Sequence, residues 1–139
     1  MKKTLRQKRA SAKKRAKKAA TTAMSLYIRA RDNYTCITCG ATLADGKVMQ
    51  NGHLITSARE ATRYHEKNCN CQCAGCNYRH EMDYEIYRRA FIEKYSETEY
   101  DDMYTLSWTL VSRTTEDYRE LEEYFKNKLA ELQMEQIDD

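Results

Sequence analysis

Cys36-Ile37-Thr38-Cys39-Gly40 and Cys73-Ala74-Gly75-Cys76-Asn77 are two CxxC turns, and between them stand Gly52-His53-Leu54-Ile55 and Asn68. A CxxC turn offers two thiolates to one side of a tight loop, and two such turns complete a tetrahedral zinc site with bonds of about 2.3 Å. Six cysteines stand at positions 36, 39, 69, 71, 73 and 76, and beyond Cys36 and Cys39 only Cys73 and Cys76 have the CxxC spacing. Structural zinc is therefore expected on Cys36, Cys39, Cys73 and Cys76, with Cys69 and Cys71 as buried thiols. A disulfide set is the competing reading. The chain opens on lysines without an apolar signal segment, so nothing directs it to an oxidising compartment.

Outside this frame, 139 residues are one domain's worth of chain, and no run of about 18 apolar residues spans a membrane. A soluble, cytoplasmic protein is expected. There are four glycines, at 40, 46, 52 and 75, and no proline. That scarcity favours helices over a turn-rich sandwich, giving an α+β, mostly helical fold around a small zinc-held core. Zinc supplies about 10–16 kcal/mol of apparent binding free energy in small modules, so chelation should unfold at least the middle of the chain.

The net charge of +3 is unevenly spread: residues 1–18 carry ten Lys or Arg and no acid, leaving 14 basic against 21 acidic side chains in the rest. Residues 29–80 hold seven basic and four acidic residues, and residues 81–139 hold seven and seventeen. A block such as Lys13-Lys14-Arg15 with Lys17-Lys18 repels itself, is partly disordered when free, and suits a polyanion such as DNA. A merely solubilising arm is the blander reading. The chain divides into a basic DNA-binding arm (1–20), a zinc-braced module (21–95) and a C-terminal helical extension (96–139).

Ala23, Leu26, Tyr27 and Ala30 share one helical face and predict a helix from about Thr21 to Asp32, which the Ala/Lys/Arg-rich arm extends once its charge is neutralised. Asp45-Gly46 and the extended Lys47-Val48-Met49 run predict a hairpin that leaves His53 at a strand end. Tyr84, Tyr87, Phe91, Ile92 and Tyr95 predict a helix over about 81–95. Ser96-x-x-Glu99 caps a third, with Tyr100, Met103, Tyr104, Ser107 and Trp108 as its inward face. A fourth starts near Thr114 or Thr115, with a stripe of Tyr118, Leu121, Phe125, Leu129 and Leu132. Most tyrosines read as packing residues with a wet hydroxyl, not as base-stacking platforms.

Phosphodiester hydrolysis needs a base for the attacking water and a cation for the charge on the leaving oxygen. His53 suits the first role, Asn68 can hold its ring or loop, and the Asn77 side-chain oxygen suits Mg2+ or Mn2+. A zinc saturated by four cysteines has no open position, so the catalytic metal is separate. Arg59, Arg63 and Arg79 are the nearby phosphate contacts, with ion pairing to Glu60 or Glu66 as the alternative. Taken alone, His53 is an ordinary polar residue, Asn68 a turn former and Asn77 a helix cap. His65 and His80 read as surface or capping residues.

The order of histidine and asparagines among the zinc ligands resembles the His-Me finger, or HNH-like, nucleases. Tyr27-Ile28-Arg29-Ala30-Arg31-Asp32, Cys36-Ile37-Thr38-Cys39-Gly40, Gly52-His53-Leu54-Ile55, Ala61-Thr62-Arg63-Tyr64, Asn68-Cys69, Gln72-Cys73 and Cys76-Asn77 resemble the NinG family of phage recombination proteins, also called Rap. The resemblance runs from about Ser25 to Tyr95 and weakly from Thr114 to Leu132. It implies a ββα-metal nuclease module that cuts branched DNA, such as Holliday junctions and D-loops, with a divalent metal. His53 is then similar to the general base, Asn68 to the middle asparagine and Asn77 to the last metal ligand. Gly52 stands where many such sites carry an acidic ligand. Met82-Asp83 replaces a family Gly-Asn pair, which makes Asp83 a further candidate ligand. The extra amino-terminal knuckle of longer members is missing.

Two other classes compete. A noncatalytic zinc-ribbon nucleic-acid-binding protein needs the module and arm but not His53, Asn68 or Asn77. A zinc-braced adaptor would use the acidic helices to bind a recombination or replication protein. Symmetric incision of a junction needs two active sites, and the C-terminal helices offer a homodimer face.

Overall fold

The computed structural model describes residues 1–138. The chain forms two compact units, one of residues 28–111 and one of residues 1–27 with the chain from Ser112 onward.

In the second of these, helix α1 (Leu5–Arg31) supplies residues up to Tyr27 and helix α6 (Thr115–Asp138) the rest. Residues 5–20 are helical, not the partly disordered arm expected from their charge. The cause is local: Thr4 Oγ1 accepts from the Gln7 N–H at 3.2 Å while Gln7 Oε1 accepts from the Thr4 N–H at 2.8 Å. This reciprocal cap starts a run of good helix formers without glycine or proline. Ala20, Ala23, Met24 and Tyr27 are buried with Tyr118 and Phe125, and Tyr27 stacks on Phe125 at 6.1 Å. Leu26, expected on this inward face, is exposed. A second reciprocal cap joins Thr114 and Asp117 where α6 begins.

The unit of residues 28–111 is built on two antiparallel strands, β1 (Met49–His53) and β2 (Cys69–Cys73), in register from Met49 opposite Cys73 to His53 opposite Cys69. The hairpin expected at Asp45-Gly46 does not form. Leu43–Asp45 is a 3-10 turn, and the partner of β1 lies beyond it, at Cys69-Asn70-Cys71-Gln72-Cys73. Helix α2 (Glu60–Arg63) lies between the strands in sequence, and β2 runs directly into helix α3 (Ala74–His80). Helices α4 (Tyr84–Lys94) and α5 (Glu97–Ser107) close the core of Leu54, Ile55, Tyr87, Phe91, Tyr100 and Met103. Ser96 caps α5 through the Glu99 N–H at 3.0 Å, and the Glu99 carboxylate pairs with Lys67. Of the five residues expected on the inward face of α5, Tyr100, Met103 and Ser107 are buried, whereas Tyr104 and Trp108 are exposed.

A polar network ties these pieces together. Asp32 accepts from the Cys71 N–H at 2.8 Å and from Arg31 Nε at 2.8 Å. Arg31 also donates to the carbonyls of Glu66 and Cys69. Burial would raise the Asp32 pKa, but Arg31 and the Cys71 N–H hold it below the usual carboxylate value. Buried Asn70 donates to Tyr87 Oη, which donates to the Gly52 carbonyl at 2.7 Å. Such a satisfied network fixes strand position at little desolvation cost. No helix among the described residues is long and apolar enough to cross a membrane.

Candidate functional site

The two CxxC turns converge. Ile37 N–H donates to the Cys71 carbonyl, which docks the first turn on β2, and Cys73 caps α3 by accepting from the Cys76 N–H. The sulfurs of Cys36, Cys39, Cys73 and Cys76 all lie within 4.8 Å of one another, and Cys39 Sγ is 3.8 Å from Cys73 Sγ. A tetrahedron with bonds of about 2.3 Å has edges of about 3.8 Å, so the four thiols fit a structural zinc. Arg79, expected on phosphate, points Nη2 at Cys76 Sγ, 4.0 Å away. Cys69 and Cys71 are fully buried, and burial pushes their thiols up to about 12 and about 11. They are neutral and lie outside the four-sulfur cluster, as expected of buried thiols.

His53, at the end of β1, opens onto a cavity of about 500 Å³ whose wall includes Asn51, Arg59, Asn77, His80, Glu81 and Tyr104. Its Nε2 lies 2.9 Å from the Arg63 carbonyl. A carbonyl only accepts, so Nε2 carries the proton and Nδ1 is the basic nitrogen. Burial lowers the His53 pKa; the Arg63 hydrogen bond opposes this and the Arg63 charge adds to it. The ring is thus oriented and neutral near pH 7.

Asn77, on α3, lines the same cavity, its Nδ2 donating to Gln50 Oε1 at 2.8 Å, which leaves Oδ1 as an acceptor. Asn68 is elsewhere. It is 0% exposed; its Oδ1 accepts from the Ile55 N–H at 2.7 Å and its Nδ2 donates to the Ile55 and Thr62 carbonyls at 3.0 Å. Asn68 therefore holds the loop behind His53 and does not line the cavity. Asp83 caps α4 through the Glu85 N–H at 3.2 Å and lines a different, smaller cavity with Arg79 and Gln72. Among the described residues, the carboxylate in the His53 cavity wall is Glu81. Sequence reasoning passed over it, although Asn77 and Glu81 are four residues apart and so share one helical face.

The arginines divide. Arg59 lines the cavity, donates from Nη1 to Ser107 Oγ at 2.9 Å and lies 3.6 Å from the Trp108 ring centre. Arg63 is half-buried and donates to the Ser57 carbonyl at 3.1 Å, so its guanidinium braces the loop beside His53. His80 donates from Nε2 to the Leu54 carbonyl at 2.8 Å, and its buried Nδ1 has no hydrogen-bond partner among the described residues. His65 accepts from the Lys67 N–H in a turn. On α1, Lys13, Lys14, Arg15 and Lys18 are exposed, while Lys17 lies over the Tyr118 ring at 5.8 Å.

The family model described as Bacteriophage Lambda NinG protein matches residues 1–135. The chain belongs to the NinG family. No curated protein and no solved structure matches it. The NinG match takes in the basic helix α1 and nearly all of α6 as well as the cysteine-framed segment, so it extends well beyond the motifs that carry the resemblance.

Proposed function

We propose that this NinG-family chain is a divalent-metal-dependent endonuclease that cuts branched DNA, such as Holliday junctions or D-loops, in phage recombination. The observation that carries this reading is the cavity that joins His53, tied by Nε2 and basic at Nδ1, to Asn77 and Glu81. The two paired strands followed by α3, with the short α2 in the connection between them, the histidine ending the first strand and the asparagine on α3, support a ββα-metal core.

His53 Nδ1 takes the proton of the attacking water. Asn77 Oδ1 and the Glu81 carboxylate are hard oxygen donors on one wall, a set that suits Mg2+ or Mn2+. When bound there, the cation supplies positive charge for the phosphate and the leaving oxygen. Arg59 adds a fixed positive charge at the cavity, and Asn68 and Arg63 keep the loop and ring in place. The four-cysteine zinc fastens β2 and α3 and takes no part in the chemistry. The cysteine cluster and α1 alone would equally serve a noncatalytic zinc-ribbon DNA-binding protein; the oriented histidine is what such a protein does not need.

The test is cleavage of labelled four-way, D-loop and linear duplex DNA by wild type, His53→Ala and Glu81→Gln at equal zinc content, with Mg2+ or Mn2+ and with EDTA. Cutting of branched DNA that needs the cation and is lost in folded His53→Ala is expected. Tight binding without cutting under every metal condition overturns the nuclease in favour of the noncatalytic reading.

A further inference from the structure

The carboxyl end of α5 carries an aromatic group that the core leaves out. Trp108 is 61% exposed and Tyr104 42%, so the fold forgoes the burial of two large rings. The indole is nevertheless held in place. Arg59 lies 3.6 Å from its ring centre and is anchored by Ser107 Oγ, which in turn donates to the Tyr104 carbonyl at 2.6 Å. Tyr104 meets the indole edge-on at 6.1 Å. Arg59 and Tyr104 both belong to the wall of the His53 cavity, which places Trp108 at its edge.

With the Arg59 guanidinium stacked over one face of the indole, the ordered and largely exposed ring has its other face to offer, next to a positive charge. That pair matches one nucleotide, its base on the ring and its phosphate near the cation. Paired bases in continuous duplex have both faces covered by their neighbours, whereas an unpaired base has a face to give. We infer that Trp108, with Tyr104 and Arg59, is a stacking platform for an unpaired nucleobase of single-stranded DNA next to the cavity. The site then takes DNA whose strands have parted, which gives branch preference a local cause. This rests on the endonuclease reading for the place of that base relative to the cut, and the two can fail separately.

Trp108 is the only tryptophan of the chain, so its emission reports on the platform directly. Zinc-loaded full-length protein is titrated, without added divalent cation, with a forked duplex bearing unpaired thymidines, the same fork with abasic residues there, and a fully paired duplex. Saturable quenching by the thymidine fork is expected, with about tenfold weaker binding of the abasic fork. By anisotropy, Trp108→Ala should lose about tenfold in affinity for the thymidine fork and Trp108→Phe should retain most of it. Equal quenching by the abasic fork or the paired duplex overturns the platform, as does Trp108→Ala binding within about twofold of wild type. Emission that no DNA changes overturns it as well and leaves the exposed ring to a protein partner. Cleavage is then read in the same samples after adding Mg2+. Quenching without cutting keeps the platform and removes the nuclease; cutting without quenching does the reverse.

Discussion

His53 shows how one backbone contact assigns chemistry. With Nε2–H on the Arg63 carbonyl, only Nδ1 can accept a proton, and burial keeps the ring neutral below the ordinary value of 6.5. A base works in its neutral form, so on the proposed nuclease reading activity should rise as pH climbs through the folded pKa. The acidic limb of kcat/KM in Mg2+ should have its midpoint below 6.5, with a plateau above it. A midpoint above about 7 takes His53 out of this role, since burial moves the group the other way. Stability follows the same sign: the unfolded histidine takes up its proton first, so the folded state loses stability as pH falls below 6.5. Asn68 makes the opposite case. Asn68→Ala would orphan the Ile55 N–H and carbonyl in a buried place, at about 1–3 kcal/mol for each group left unsatisfied, whereas the Thr62 carbonyl keeps the His65 N–H at 3.1 Å. Denaturant unfolding should show that loss, whereas unchanged stability with lost cleavage would return Asn68 to the chemistry. That His53 and Asn77 share a cavity could be anticipated from their fixed order among the four clustered cysteines. Asn68 was legible as a loop-holder but not as a buried one, because burial depends on what packs around Thr62.

Among the elements, β1 and β2 approach each other through Gly52. A Cβ there would stand 2.3 Å from Gln72 Oε1 and 2.9 Å from Gln72 Cβ, and Gln72 is fully buried with its amide on Thr38. A side chain at this position is therefore sterically barred, and on the proposed endonuclease reading the carboxylate would come instead from Glu81 at the end of α3. Gly52→Ala should cost about 1–3 kcal/mol by overpacking, read by thermal unfolding of the zinc-loaded protein, and Gly52→Asp more. An alanine variant as stable as wild type would mean that the strands can part, and the acid's absence would lose its steric cause. The helices α4, α5 and α6 could be read from spacing and caps because local pattern determines them. β2 could not: Cys-Asn-Cys-Gln-Cys alternates, but its cysteines read as thiols and metal ligands and it has no β-branched or aromatic residue, and the structure buries all five side chains. The start of α1 was hidden by charge, which outweighs helix propensity in a reading that misses the Thr4–Gln7 cap. Trp108 was placed inside by helical periodicity, which cannot tell that α5 ends beside a cavity.

For the whole molecule, charge sets the expectation. Ten cations and no acid fall in residues 1–18, against seventeen acids in residues 81–139. On α1, Lys13, Lys14, Arg15 and Lys18 are exposed along the helix, while Lys17 is occupied over Tyr118. If the four exposed cations meet phosphates, neutralising them to alanine should make the slope of log K against log salt shallower by about 3–4 on duplex DNA. Binding at low salt should weaken by a similar factor on linear and branched probes, because phosphate contacts position a protein without reading the DNA. Lys17→Ala should change the slope least and stability most within the set. A fourfold variant with the wild-type slope would leave α1 without a DNA contact. A variant whose preference for branched over linear DNA falls along with its affinity would mean that this helix reads strand geometry and does not only hold the backbone.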